Sequence, residues 1–130
     1  MDEPVSGDVD ETFNQLVELV EYLRSDEGCP WDRKQTMESM IECLQEESEE
    51  VVEAVRNDDM DNLEEELGDL ILQGVFYAQM AAEKDLFTID DVLARLNRKL
   101  IERHPHVFGE ETAENPSEAI DQWNEVKQST

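Results

Sequence analysis

Residues 37–80 read MESMIECLQEESEEVVEAVRNDDMDNLEEELGDLILQGVFYAQM, and their reading decides the fold. On both sides of Asn57-Asp58-Asp59 the apolar residues recur at three-and-four spacing, the period of a helix with one buried stripe. The first side predicts a helix from about Thr36, its N-cap, to about Arg56, with a seam of Met37, Ile41, Leu44, Ser48, Val51 and Val55. The second side predicts a helix capped by Asp59 or Asp61 and reaching about Lys84. A tight acidic turn between two long amphipathic helices makes them antiparallel neighbours.

The two helices carry one local pattern twice. Leu44-Gln45-Glu46-Glu47-Ser48-Glu49-Glu50-Val51 aligns with Leu63-Glu64-Glu65-Glu66-Leu67-Gly68-Asp69-Leu70. At about 100° per residue, Glu47 and Glu66 fall inside the apolar stripes, Glu50 and Asp69 at their edges, and Glu46 farther out. Thirteen acids lie from Glu42 to Asp69 with Arg56 as the one base, and most of them suit a solvated face. Packing the stripes together brings Glu47, Glu50, Glu66 and Asp69 into one partly buried cluster. Four anions there are unstable unless their pKa values rise or a cation neutralises them. No His or Cys stands at matching spacing, so the donor set is all oxygen. That set favours Mg²⁺, with Mn²⁺ as a substitute, over zinc.

Outward from this pair, Phe13, Leu16, Val17, Val20 and Leu23 predict a first helix over 9–23, followed by breakers at Gly28 and Pro30. Residues 89–103 predict a fourth helix ended by His104-Pro105, and 117–127 a short last one. Strand alternation and hairpin turns are absent. The expected fold is all-α: an antiparallel four-helix-type bundle with a short extra C-terminal helix, one domain over 1–130 with a flexible tail at about 1–8. The second half of the third helix is apolar nearly all round, at Leu70, Ile71, Leu72, Val75, Phe76, Tyr77 and Met80. Such a helix needs burial on every side, which in a chain of this size predicts a subunit interface with Tyr77 packed in it. Gly68 and Gly74 are expected to permit close helix approach.

Composition bounds the role. The 130 residues hold 10 Lys+Arg against 35 Asp+Glu, a net charge of −25. Such a chain repels a phosphate backbone or an anionic bilayer, so neither nucleic acid nor membrane is an expected partner. Leu, Ile, Val and Phe still make up about a quarter of it, above the ~20% below which disorder is the better reading. No membrane-length apolar run and no secretory signal are visible, and Cys29 and Cys43 lack a disulfide or CxxC pattern; the expected location is cytoplasmic.

The few bases are clustered. Arg95, Arg98, Lys99 and Arg103 fall within nine residues. With Leu96 and Leu100 facing the core, Lys99 and Arg103 flank that stripe and Arg98 points away. Cations at a helix C-terminus are one explanation; a grip on the phosphates of a polyphosphate, opposite a carboxylate-held metal, is the other. Trp31 and Trp123 are candidates for stacking on a base, although a Trp beside Pro more often plugs a core. His104 and His106, flanking Pro105, read as helix-end structure.

Three segments together resemble the MazG family of nucleoside triphosphate pyrophosphohydrolases: Glu46-Glu47-Ser48-Glu49-Glu50 followed by Glu66-Leu67-Gly68-Asp69, the preceding Gly28-Cys29-Pro30-Trp31-Asp32, and the following Lys99-Leu100-Ile101-Glu102-Arg103-His104-Pro105-His106-Val107-Phe108. The likeness covers about residues 12–127 and is similar to the first module of longer, two-module members, with Glu102 where a second Arg often stands. It implies an all-α homodimer or higher homo-oligomer that hydrolyses NTPs to NMP and pyrophosphate with Mg²⁺. It also implies Glu47, Glu50, Glu66 and Asp69 as metal ligands, Glu46 as a further ligand or, with Glu50, a candidate catalytic base, and Lys99 and Arg103 on the phosphates. The alternative is a MazG-like acidic helical adaptor with little or no turnover that binds a protein partner.

Overall fold

The computed structural model describes residues 8–129, with side chains up to 128, so the expected tail at about 1–8 lies almost wholly outside the described residues. Seven helices follow in order: α1 (Val9–Leu23), α2 (Pro30–Lys34), α3 (Ile41–Arg56), α4 (Met60–Glu83), α5 (Ile89–Glu102), α6 (Pro105–Phe108) and α7 (Pro116–Ser129). There is no strand among the described residues, as the sequence predicts. The chain divides into two compact units, residues 1–89 and 90–130.

In the first unit α4 packs against both α3 and α1. The α3–α4 turn is a Schellman end: Asp58 adopts a positive φ of 53°, and the Asp59 and Asp58 N–H groups donate to the Ala54 and Val55 carbonyls. The Asp59 carboxylate then accepts from the Asn62 N–H and caps α4. Asp85 closes the far end of α4 the same way, at φ 57°. The core is Val20, Met40, Val75, Phe76 and Met80, backed by Phe13, Leu16, Val17, Met37, Cys43, Leu72, Tyr77 and Ile89.

Three expectations change in this unit. Regular helix starts at Ile41 rather than Thr36, although Thr36 does cap: it exchanges reciprocal side chain–backbone hydrogen bonds with Ser39 across the preceding turn. The inward face of α3 is not the expected Ile41–Leu44–Val55 seam, for those three residues are exposed. Met40, Glu47 and Ala54 are buried instead, with Cys43 and Val51 partly so. Gly68 and Gly74 are not close-approach sites either, since a Cβ at either position meets nothing within 4 Å. Tyr77 is half-buried within this chain, where its hydroxyl donates to the Met37 carbonyl at 3.0 Å.

Arg24, at the end of α1, organises the segment before α3. Its guanidinium donates to the carbonyls of Asp32 (2.6 Å) and Gln35 (3.1 Å), makes a forked pair of 2.8 Å bonds to the Glu83 carboxylate, and lies 5.3 Å from the Phe76 ring centre. Within this segment Pro30 opens the short helix α2, where its missing N–H costs nothing. Gly28 sits where any Cβ would overlap the Tyr22 and Leu23 carbonyls. Gly28→Ala is therefore expected to cost about 1–3 kcal/mol through forced backbone displacement, measured as a lower denaturant midpoint.

In the second unit, α5, α6 and α7 bring His104 against Trp123, edge to face at 5.3 Å, and place the Arg103 guanidinium 5.1 Å from the same ring. The His104 Nδ1 lies 2.6 Å from the Leu100 carbonyl at the end of α5, which is the helix-end role expected of it.

Candidate metal centre

The α3–α4 pairing turns two carboxylates inward from facing helices. Glu47 is 8% exposed and Glu66 9%, an unusual state for acids. Asp69, one turn beyond Glu66, is more open to solvent, and carboxylate oxygens from Glu47, Glu66 and Asp69 all lie within 4.8 Å of one another. Glu47 Oε1 and Glu66 Oε2 are buried without a hydrogen-bond partner. An orphaned carboxylate oxygen carries a full desolvation penalty, so the pocket has the form of a site whose counter-charge is a ligand.

The electrostatics agree. Hydrogen bonding between the Glu66 and Glu47 carboxyls, reinforced by burial and by the charges of Glu47 and Asp69, holds the Glu66 carboxyl above its ordinary range. Glu50 is raised as well, chiefly by its hydrogen bond to Glu66 and by the repulsion of that same group. Glu50 is exposed and falls outside the tight group of three while remaining in contact with Glu66. Glu46 is exposed on α3 and stands apart from the group.

The oxygen-only donor set and the unpartnered buried oxygens fit a hard divalent cation. Glu47, Glu66 and Asp69 would hold it, with Glu50 at the rim. Gln73 had no sequence-level role, yet it is 8% exposed one turn past Asp69 and its Oε1 has no partner. Its only signal in the sequence was a polar side chain that, with Gln79, interrupts an apolar run.

The remaining candidates lie elsewhere. Trp31 is 55% exposed on α2, not the core plug that its proline neighbour suggested. Lys99 and Arg103 are half-buried in the second unit, Arg103 against Trp123. Arg98 is exposed and lines one open cleft with Arg95, Lys99 and Arg103.

A MazG nucleotide pyrophosphohydrolase domain model matches residues 35–108. The chain is 53% identical over 117 residues to the nucleoside triphosphate pyrophosphohydrolase/pyrophosphatase MazG of Thermotoga maritima, covering 88% of this chain and 44% of that protein. It is 44% identical over 116 residues to the nucleoside triphosphate pyrophosphohydrolase of Escherichia coli K12, with the same coverage of 88% and 44%. The crystal structure of a mazG-related protein from Thermotoga maritima matches with a TM-score of 0.72 at 36% identity, over 88% of this chain and 98% of that one. The chain thus spans less than half the length of these two curated relatives.

Proposed function

We propose, for a chain that belongs to the MazG nucleotide pyrophosphohydrolase family, that it hydrolyses nucleoside triphosphates to the monophosphate and pyrophosphate at a Mg²⁺ site on α3 and α4. One observation carries this reading: the all-oxygen group of buried Glu47 and Glu66 with the more open Asp69, two of whose buried oxygens are left unpaired. An adaptor without turnover has no use for carboxylates buried in that state, so the observation weighs against the alternative.

Glu47, Glu66 and Asp69, with Glu50 completing the set, would hold a divalent cation, which would supply screening of phosphate charge and a more nucleophilic water. The protein's own groups do the rest. Water oxygen bonds to the α-phosphorus while the bond from that phosphorus to the bridging oxygen breaks, and pyrophosphate leaves with the electron pair. The proton lost by water passes to Glu50, at the rim of the carboxylate group beside Glu66; Glu46, exposed one residue before Glu47, is the other candidate. Lys99 and Arg103 take charge from the phosphates. Of the two tryptophans, Trp31 has the freer ring for stacking on a base.

Self-association belongs to the same proposal. Ile41, Leu44, Val52 and Val55 form an exposed apolar stripe on α3, and Met60, Leu67 and Ile71 form another on α4. Such stripes suit a homodimer or higher homo-oligomer. No described helix is long and apolar enough to cross a membrane, and nucleotide-pool housecleaning in the cytoplasm is the proposed setting.

Incubation with a panel of NTPs and dNTPs, followed by phosphorus NMR, is expected to yield monophosphate and pyrophosphate in equal amounts with Mg²⁺ and nothing in EDTA. Release of orthophosphate and a diphosphate, or no turnover of any nucleotide, contradicts the proposal. Millimolar Mg²⁺ is likewise expected to raise the melting temperature more than Na⁺ at equal ionic strength.

A further inference from the structure

Among the described residues of the first unit, the buried polar side chains are Glu47, Glu66 and Gln73. The first two belong to the carboxylate group, and Gln73 does not. It is 8% exposed on α4, and its Oε1 is buried without a hydrogen-bond partner, the same state as Glu47 Oε1 and Glu66 Oε2. At about 100° per residue, Gln73 lies only about 20° from Glu66 around the helix, on the side of Asp69. At about 1.5 Å per residue it stands ~6 Å beyond Asp69 along the axis. The three unpaired oxygens therefore share one inward face of the α3–α4 pair.

Packing does not account for the amide. The next turns of α4 carry Val75, Phe76 and Met80 into an apolar core with Met40 and Val20, and an apolar side chain at 73 would continue that core with no polar atom to desolvate. The polar groups on the core side already have partners. The Tyr77 hydroxyl donates to the Met37 carbonyl, and the Arg24 guanidinium is taken up by Asp32, Gln35 and Glu83. What is unpaired lies in the other direction, at the carboxylates. Ionised Glu47 and Glu66 only accept hydrogen bonds, so they cannot satisfy Gln73 Oε1. All three oxygens lack the same thing, a donor or a cation.

Water in the shell of a hard divalent ion is such a donor, because Mg²⁺ dehydrates reluctantly and keeps several waters beside its carboxylates. One water joining two oxygens spans up to about 5.6 Å, close to the ~6 Å step from Asp69 to Gln73. We propose that Gln73 is a positioning residue of the metal centre: its Oε1 accepts a hydrogen bond from a water in the shell of the cation held by Glu47, Glu66 and Asp69, and so fixes that water. The inference rests on the carboxylate reading of the site. A neutral amide does this without adding another anion to a group that already repels itself.

The test is calorimetric titration of the full chain with Mn²⁺ in the absence of nucleotide, paired with the melting temperature of the metal-free protein. Gln73→Met keeps the length of the side chain and removes the acceptor. It should weaken Mn²⁺ binding about tenfold or more, the usual effect of losing an outer partner of a metal site, while the metal-free protein melts at the same temperature or higher. Gln73→Glu keeps an oxygen at that place and adds a charge. It should bind Mn²⁺ at least as tightly as the unchanged chain, yet melt lower without metal. A purely structural glutamine predicts neither half of this opposition. Unchanged Mn²⁺ affinity in Gln73→Met, a lower metal-free melting temperature for it, or binding lost in Gln73→Glu would each overturn the proposal. Binding abolished by Glu66→Gln but untouched by Gln73→Met sinks this role and leaves the carboxylate centre standing. Failure of the unchanged chain to bind millimolar Mn²⁺ overturns the centre itself, and this role with it.

Discussion

Glu66→Gln is expected to lower NTP turnover by roughly a hundredfold or more while leaving the metal-free fold as stable as before or more so. Those two effects belong together only if Glu66 is a ligand. A glutamine keeps the shape and one oxygen but removes the negative charge that a cation needs. In the absence of metal, that same charge is a burden, because Glu66 sits against Glu47, Glu50 and Asp69. The pH dependence follows with a definite sign. Both Glu50 and Glu66 have folded-state values raised above the ordinary 4.5, so the folded protein takes up protons that the unfolded chain does not. Their contribution to stability is full below the unfolded value and is lost as pH rises through the raised ones. Metal-free protein should therefore melt at lower temperature as pH is brought from the carboxylate range towards neutrality, and Glu66→Gln should flatten that slope. Turnover that survives the substitution, or an unchanged slope, counts against the site.

Arg24→Ala is expected to cost about 3 kcal/mol, the lower end of what breaking a buried ion pair removes. The lower end applies because Glu83 can turn to water: its side chain is 38% exposed, against 8% for Arg24. The larger part of the loss comes from the Asp32 and Gln35 carbonyls, which lose their donor. Glu83→Gln should accordingly cost far less, since the carbonyl bonds survive. The pH sign here is opposite to that of the carboxylate cluster. Arg24 holds the Glu83 carboxyl below its ordinary range, so this stabilisation is present above the unfolded value and fades as acid protonates Glu83. Chemical denaturation of both variants at neutral pH checks the ranking; equal losses would mean that the ion pair, not the carbonyl clamp, holds the segment.

The limits of α1, α4 and α5 were legible in the sequence because long amphipathic stripes and the Asp59 cap are local signals. So was the pairing of Glu47 with Glu66: a repeated pattern on two helices joined by three residues leaves few other geometries. What escaped was set by contacts distant in sequence. The buried face of α3 centres on Glu47, not on Leu44, a choice made by packing against α4 that propensity does not record. Arg24 reaches 59 residues along the chain to Glu83, a partner that no local pattern marks. Trp31 was misjudged because Pro30 beside it opens a surface helix and does not seal a core. The cleft that Arg98 lines with Lys127 of α7 joins residues distant in sequence, which periodicity on α5 alone does not mark.

The central claim is that α3 and α4 jointly hold one divalent cation, and anomalous diffraction from crystals soaked in Mn²⁺ tests it most directly. The account predicts a single strong peak within coordination distance of Glu47, Glu66 and Asp69, absent in Glu66→Gln. A peak elsewhere, or none at millimolar Mn²⁺ with the three carboxylates still together, would contradict it.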